Sequence, residues 1–131
     1  MKYLEIKTEK ENRINTLIST CEMFFAFSNE QFNENKTTLK EGDKYVSLGS
    51  GAFLPKSQLD KWKVGLVELT TWEKTTIKAA KQQTAQIVSE LSNYECFYTG
   101  DITDSLPALS NYSREQVQRV FNENRKQYQQ F

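Results

Sequence analysis

The chain predicts an α+β fold: a small antiparallel sheet of two or three strands packed against several helices, with helices dominating the C-terminal two-thirds. Three observations carry this. Apolar residues recur at three- and four-residue steps over most of residues 57–93 and again after Ser113, the period of a helix with one buried face. Short apolar or alternating runs at Met23–Phe27, Lys44–Leu48 and Ala52–Leu54 have strand length. Glycines at 42, 49 and 51 punctuate those runs where the chain must turn.

The elements follow in order. Residues 1–7 set Tyr3, Glu5 and Lys7 against Leu4 and Ile6, the pattern of a short strand or an unwound lead-in. Thr8 to Cys21 reads as a helix with Ile14, Leu17, Ile18 and Cys21 on one stripe, opened by a Thr8–Glu11 capping box. Met23–Phe27 reads as a buried strand, and the Ser28–Gln31 pair then caps a short helix whose apolar side begins at Phe32. Lys40–Asp43 is a turn, Lys44–Leu48 a second strand, Gly49–Gly51 a break, and Ala52–Leu54 a third strand ended by Pro55.

From Ser57 to Asn93 the pattern is helical, with a phase shift at Thr70–Thr71 that predicts a kink or a helix boundary there. Tyr98–Asp101 reads as a turn, and Asp104 as the cap of a single turn through Leu109. Ser113–Gln116 is a third capping box, with Val117, Val120, Phe121 and Tyr128 lining the last helix. The helices are expected on one face of the sheet, in a single domain spanning residues 1–131. A chain of this length buries roughly 70% of the surface its unfolded form exposes.

Composition narrows the function classes. Lys plus Arg equals Asp plus Glu at 17 each, so direct nucleic-acid binding is not expected, because duplex affinity comes from neutralising many phosphates. There is no histidine. This removes the commonest general base and metal ligand, and with them Ser-His-Asp and Cys-His nucleophiles. Cys21 and Cys96, distant and not in Cys-x-x-Cys spacing, make at best half a zinc site. They read as buried free thiols in a reducing cytoplasm. No leader or apolar membrane-length run is read. The expectation is a protein without enzymatic activity, cofactor or metal.

The most distinctive stretch is Tyr94–Asp101. Between Thr84 and Ser113 there are four acids (Glu90, Glu95, Asp101, Asp104) and no Lys or Arg. With Tyr94, Phe97 and Tyr98 among those acids, the segment has the composition of a docking patch: rigid aromatic anchors ringed by negative charge. The candidate partner-binding residues are therefore Glu90, Tyr94, Glu95, Phe97, Tyr98, Asp101 and Asp104. An alternative site groups Gly49, Ser50, Gly51, Lys56 and Arg114 around the phosphates of a sequestered nucleotide, since glycine-rich turns let backbone amides converge on an anion. A hairpin needing positive backbone angles accounts for the same glycines. Lys56, Lys61, Lys63, Lys74, Lys78 and Lys81 give the long helical region a basic, solvated side.

Three strings, Phe25–Phe32, Leu48–Lys56 and Asn93–Asp101, resemble in order and spacing a family of small uncharacterised proteins of bacteriophages and other mobile elements. The resemblance covers about residues 20–121 and carries no assigned catalytic residues. It implies a cytoplasmic inhibitor that docks on a host protein, such as a nucleic-acid-binding defence effector of the CRISPR kind. A homodimer is left open.

Overall fold

The computed structural model describes residues 1–128, with the side chain of Tyr128 outside the described set. The fold is α+β, and the chain divides into two compact units. One takes Leu4–Thr75 and holds the sheet; the other takes Met1–Tyr3 and the chain from Thr76 onward and is helical.

In the sheet unit, helix α1 (Tyr3–Thr20) leads into strand β1 (Phe24–Phe25), helix α2 (Asn29–Asn35), strands β2 (Tyr45–Gly49) and β3 (Ala52–Pro55), and a 3₁₀ turn (Lys56–Gln58) that opens helix α3 (Leu59–Ala79). The sheet order is β1-β3-β2, antiparallel throughout, with Phe24 opposite Phe53 and Val46 opposite Leu54. A bulge between Ser47 and Gly49 shifts the register beside the hairpin turn. At the turn itself Gly49, Ser50 and Gly51 all take left-handed backbone angles.

Period-two alternation sorts the β3 side chains onto two faces. Ala52 and Leu54 are buried with Cys21 and Met23, against Leu17, Ile18, Val46, Leu59 and Trp62. This is the seam between the sheet and helices α1 and α3. Phe53 points to the other face, where Phe24, Phe32 and Tyr45 complete a four-ring cluster with centroids 5.0–5.8 Å apart. Each such pair adds about 0.5–1.5 kcal/mol beyond the area it buries. Since Phe32 comes from α2, helices cover both faces of the sheet rather than the expected one.

The α1–α3 contact is close because Gly65 has no side chain: a methyl group there would stand 2.5 Å from Leu17 Cδ1. The Arg13 guanidinium lies 4.2 Å from the Trp72 ring centroid and Lys10 pairs with Glu73 at 3.0 Å, so the two helices run antiparallel.

Three elements differ from the sequence reading. The expected buried strand Met23–Phe27 pairs only over Phe24–Phe25, and Phe25 and Phe27 are exposed. Helix α1 starts at Tyr3, not Thr8, and Thr8 inside it donates to the Leu4 carbonyl. Tyr3 and Ile6 are both buried, a three-residue step that five alternating residues concealed. Helix α3 runs straight through Thr70–Thr71, with the Thr70 hydroxyl bonded to the Leu66 carbonyl. It ends instead at Lys81 (φ 55°), where Gln82 N–H bonds to Ile77 O and Lys81 N–H to Lys78 O. That is a Schellman closure with lysine where glycine is usual. Glu22 (φ 57°) closes α1 by the same pair of bonds. β-Branched residues only weaken a helix, whereas this closure stops one.

The helical unit carries α4 (Gln83–Asn93), α5 (Cys96–Thr99), a 3₁₀ helix (Thr103–Leu109) and α6 (Arg114–Tyr128). Its core joins Ile87, Leu91, Cys96, Phe97, Ile102, Leu109, Val117, Val120 and Phe121, all buried. Ser113 caps α6, its hydroxyl accepting from Gln116 N–H at 3.1 Å, as Ser28 caps α2 through Gln31 N–H. The expected place of Tyr128 on the α6 stripe lies outside the described residues.

Candidate docking surface

The junction of α4 and α5 builds the site. Helix α4 closes on Tyr94, whose N–H bonds to Glu90 O, and Glu95 takes a left-handed conformation (φ 57°) with its N–H on Ser92 O. That reversal re-aims the chain, and Glu95 O then receives the N–H groups of Tyr98 and Thr99 to start the single turn of α5. Gly100 (φ 79°) closes it. The expected turn at Tyr98–Asp101 is therefore the end of a short helix.

Within this turn, neighbours part company. Cys96 and Phe97 point inward and are buried, and Phe97 stacks on Phe121 with centroids 5.3 Å apart and planes 9° from parallel. Tyr98 points outward and is 82% exposed, while Tyr94 is 41% exposed. Phe97 was expected as a third surface anchor; it belongs to the core, because the buried pair Cys96–Phe97 is what pins α5 to α4 and α6. It can carry docking only through the turn it fixes.

The acids divide as well. Glu95 and Asp104 are exposed, and Glu90 is half-buried on α4. Asp101 is employed in the fold: its Oδ1 accepts from Thr103 Oγ1 at 2.6 Å and Thr103 N–H at 2.9 Å. These bonds close an Asx turn just ahead of the 3₁₀ helix, whose N-cap is Ile102 with no side-chain cap bond; Asp104, expected as the cap, lies inside the first turn. The Thr103 hydroxyl, then its N–H, and the Arg114 charge hold the Asp101 carboxyl below the usual carboxylate range. Ion pairs among the described residues are Lys10–Glu73 and Arg13–Glu9, both in the sheet unit. None involves the four acids of the patch.

Ser92, Glu95, Phe97 and Tyr98 together line an open depression of about 380 Å³. Ser92 was not singled out in the sequence. Its place one turn before Glu95 on α4 brings it there, and only the left-handed step at Glu95 makes the two neighbours of the α5 rings.

The residues of the alternative set lie on several elements. Gly49–Gly51 form the hairpin turn, and Lys56 follows the other end of β3, about 10–14 Å away at the rise of a strand. Lys56 N–H bonds to Lys44 O at 2.7 Å, and Arg114 opens α6. Gly51 serves packing: its carbonyl receives Ala26 N–H, and a side chain there would strike the Phe27 ring at 2.5 Å. The Asp43 carboxylate binds Ser57 Oγ at 2.6 Å and the N–H groups of Ser57 and Lys44, so it stitches β2 to the start of α3.

Burial raises the Cys21 thiol above its ordinary pKa, with Lys61 pulling it partly back, and both cysteines are free and fully buried. Among the described residues no cluster of acids, cysteines or histidines has the arrangement of a metal site, and no helix is long and apolar enough to cross a membrane.

Comparison with curated proteins and with solved structures finds no match. The profile of a family of unknown function, DUF7659, matches residues 3–130, and the chain belongs to that family.

Proposed function

We propose that this chain is a non-enzymatic binding protein of bacteriophage or mobile-element type, acting in the host cytoplasm. It inhibits a host protein by docking on it, and a nucleic-acid-handling defence effector of the CRISPR kind is the partner class that fits. The observation that carries this reading is the exposure of Tyr94, Glu95, Tyr98 and Asp104 in a stretch of sequence with no base. Exposed tyrosines on a rigid turn lose little side-chain entropy on binding and anchor interfaces well. The acids suit a surface built to hold phosphates, because lysines and arginines that face nucleic acid are met equally by carboxylates. The lack of histidine agrees with action by occupancy rather than by turnover.

The test is affinity capture from the bacterial host with the wild-type chain beside a Glu90→Lys, Glu95→Lys, Asp104→Lys variant. Asp101 is left intact because its carboxylate is bonded to Thr103. The reading expects the variant to lose a basic, nucleic-acid-binding partner that the wild type retains. Equal recovery of every partner by both chains sinks it.

A further inference from the structure

We infer that the depression between α4 and α5 is a receptor for one arginine side chain presented by the partner protein; this rests on the docking reading above and names its chemistry. Four residues line it, Ser92, Glu95, Phe97 and Tyr98, which carry between them a hydroxyl, a carboxylate and two aromatic rings, with no base among them. Carboxylate plus aromatic face is the environment that a guanidinium satisfies on both counts. Its plane stacks on a ring, and its forked N–H groups meet a carboxylate in two parallel bonds. Lysine offers a compact, strongly hydrated charge that does neither as well.

Size sets the same limit. An opening of about 380 Å³ takes a side chain, whereas a helix about 10–12 Å across cannot enter it. The backbone of the turn is also fixed before binding. Tyr98 is carried on a single turn whose two preceding side chains, Cys96 and Phe97, are locked in the core. Glu95 is held at a left-handed backbone position by the bonds that close α4 and open α5. A site whose backbone is already placed has less ordering to do on binding. The chain uses the same chemistry internally: Arg13 stacks on Trp72 at 4.2 Å and Arg125 on Phe121 at 5.7 Å.

The experiment is an amide-resolved NMR titration of the full chain with a blocked glycine pentapeptide carrying one central arginine, beside its lysine and citrulline twins. The inference expects shifts confined to the backbone around residues 92–98 and binding about tenfold weaker for both twins, the loss of one charge-assisted bidentate contact. Tyr98→Leu should weaken the arginine peptide about fivefold while Tyr98→Phe retains it. Glu95→Gln should weaken it about tenfold. Both positions are exposed, and an unchanged amide spectrum elsewhere checks that each variant is folded. Shifts centred on another surface, no shift at the solubility limit, or equal binding of arginine and lysine overturns the assignment. If the charge-reversed chain loses its partner while arginine and lysine peptides bind alike, docking stands and arginine as its determinant falls.

Discussion

Gly65→Ala sets two effects against each other, and the structure decides between them. Alanine in a helix interior is favoured over glycine by about 1 kcal/mol. Gly65 lies inside α3, so propensity alone predicts a more stable protein. Opposing this, the new methyl would stand 2.5 Å from Leu17 Cδ1, 2.8 Å from Cδ2 and 3.2 Å from Cγ. Because the branch carbon is crowded as well as both methyls, turning the isopropyl group brings no relief; the whole side chain or the helix must shift.

Leu17 packs against the buried Cys21–Met23–Ala52–Leu54 cluster, so that shift is resisted. Overpacking of this kind costs about 1–3 kcal/mol. Taking the middle of that range and subtracting the propensity gain leaves a net loss of about 1 kcal/mol, or about 3–5 °C in Tm for a chain of this size. Urea unfolding of Gly65→Ala in the wild-type and Leu17→Ala backgrounds separates the two terms. With Leu17 truncated the clash is gone, so the same substitution should stabilise by about 1 kcal/mol. A substitution that stabilises the wild type, or that has the same sign in both backgrounds, refutes the argument that Leu17 bars the way.

Lys81→Gly should stabilise by about 0.5–1 kcal/mol, since relief of left-handed strain worth about 1–2 kcal/mol exceeds the chain entropy that glycine adds; a lower urea midpoint would contradict the closure described at the end of α3. The Asp43 carboxyl is held below its ordinary range by the Ser57 hydroxyl, then by the N–H groups of Ser57 and Lys44. Its contribution is therefore full above the usual aspartate pKa near 4 and drains away as pH falls through the lower folded-state value. Asp43→Asn should flatten that acid limb of stability below about pH 4, and an unaltered limb would count against the bond network. Phe97→Ala should cost about 3–5 kcal/mol as a buried aromatic is lost. Tyr98→Ala should change stability by no more than about 0.5 kcal/mol, and comparable losses at both positions would contradict their opposite placement.

Local chemistry was legible where a side chain acts on its own neighbourhood. The Ser28 and Ser113 caps, the Lys40–Asp43 turn and the hairpin around Gly49–Gly51 could all be read because each needs particular residue types at fixed offsets. The end of α3 was not, because Lys81 takes a conformation that usually advertises itself as glycine. Nor was the second sheet face: Phe53 alternates with Ala52 and Leu54, but the ring that covers it, Phe32, comes from a helix seven residues long with no apolar period of its own.

The docking segment shows the limit most clearly. Composition put Tyr94, Glu95, Phe97 and Tyr98 on the surface together; the first two and Tyr98 are exposed, and Phe97 is buried. Four residues entered through a left-handed step have no readable phase, and the inward turn of Phe97 is set by Phe121, more than twenty residues away in the chain. Asp104 was misplaced as a cap for a similar reason: the 3₁₀ helix starts one residue earlier, at Thr103, and puts Asp104 inside its first turn, while Asp101 bonds to Thr103.

Photo-crosslinking from position 98, with position 27 as the comparison, tests the docking claim most directly. Both carry exposed aromatic side chains, 82% and 75% respectively, but only Tyr98 stands among the acids of the α4–α5 junction. With a benzophenone amino acid at each site in turn, the account predicts that position 98 joins the captured host protein at an arginine-bearing basic segment and that position 27 does not. Crosslinks from position 27 with none from position 98 would contradict it.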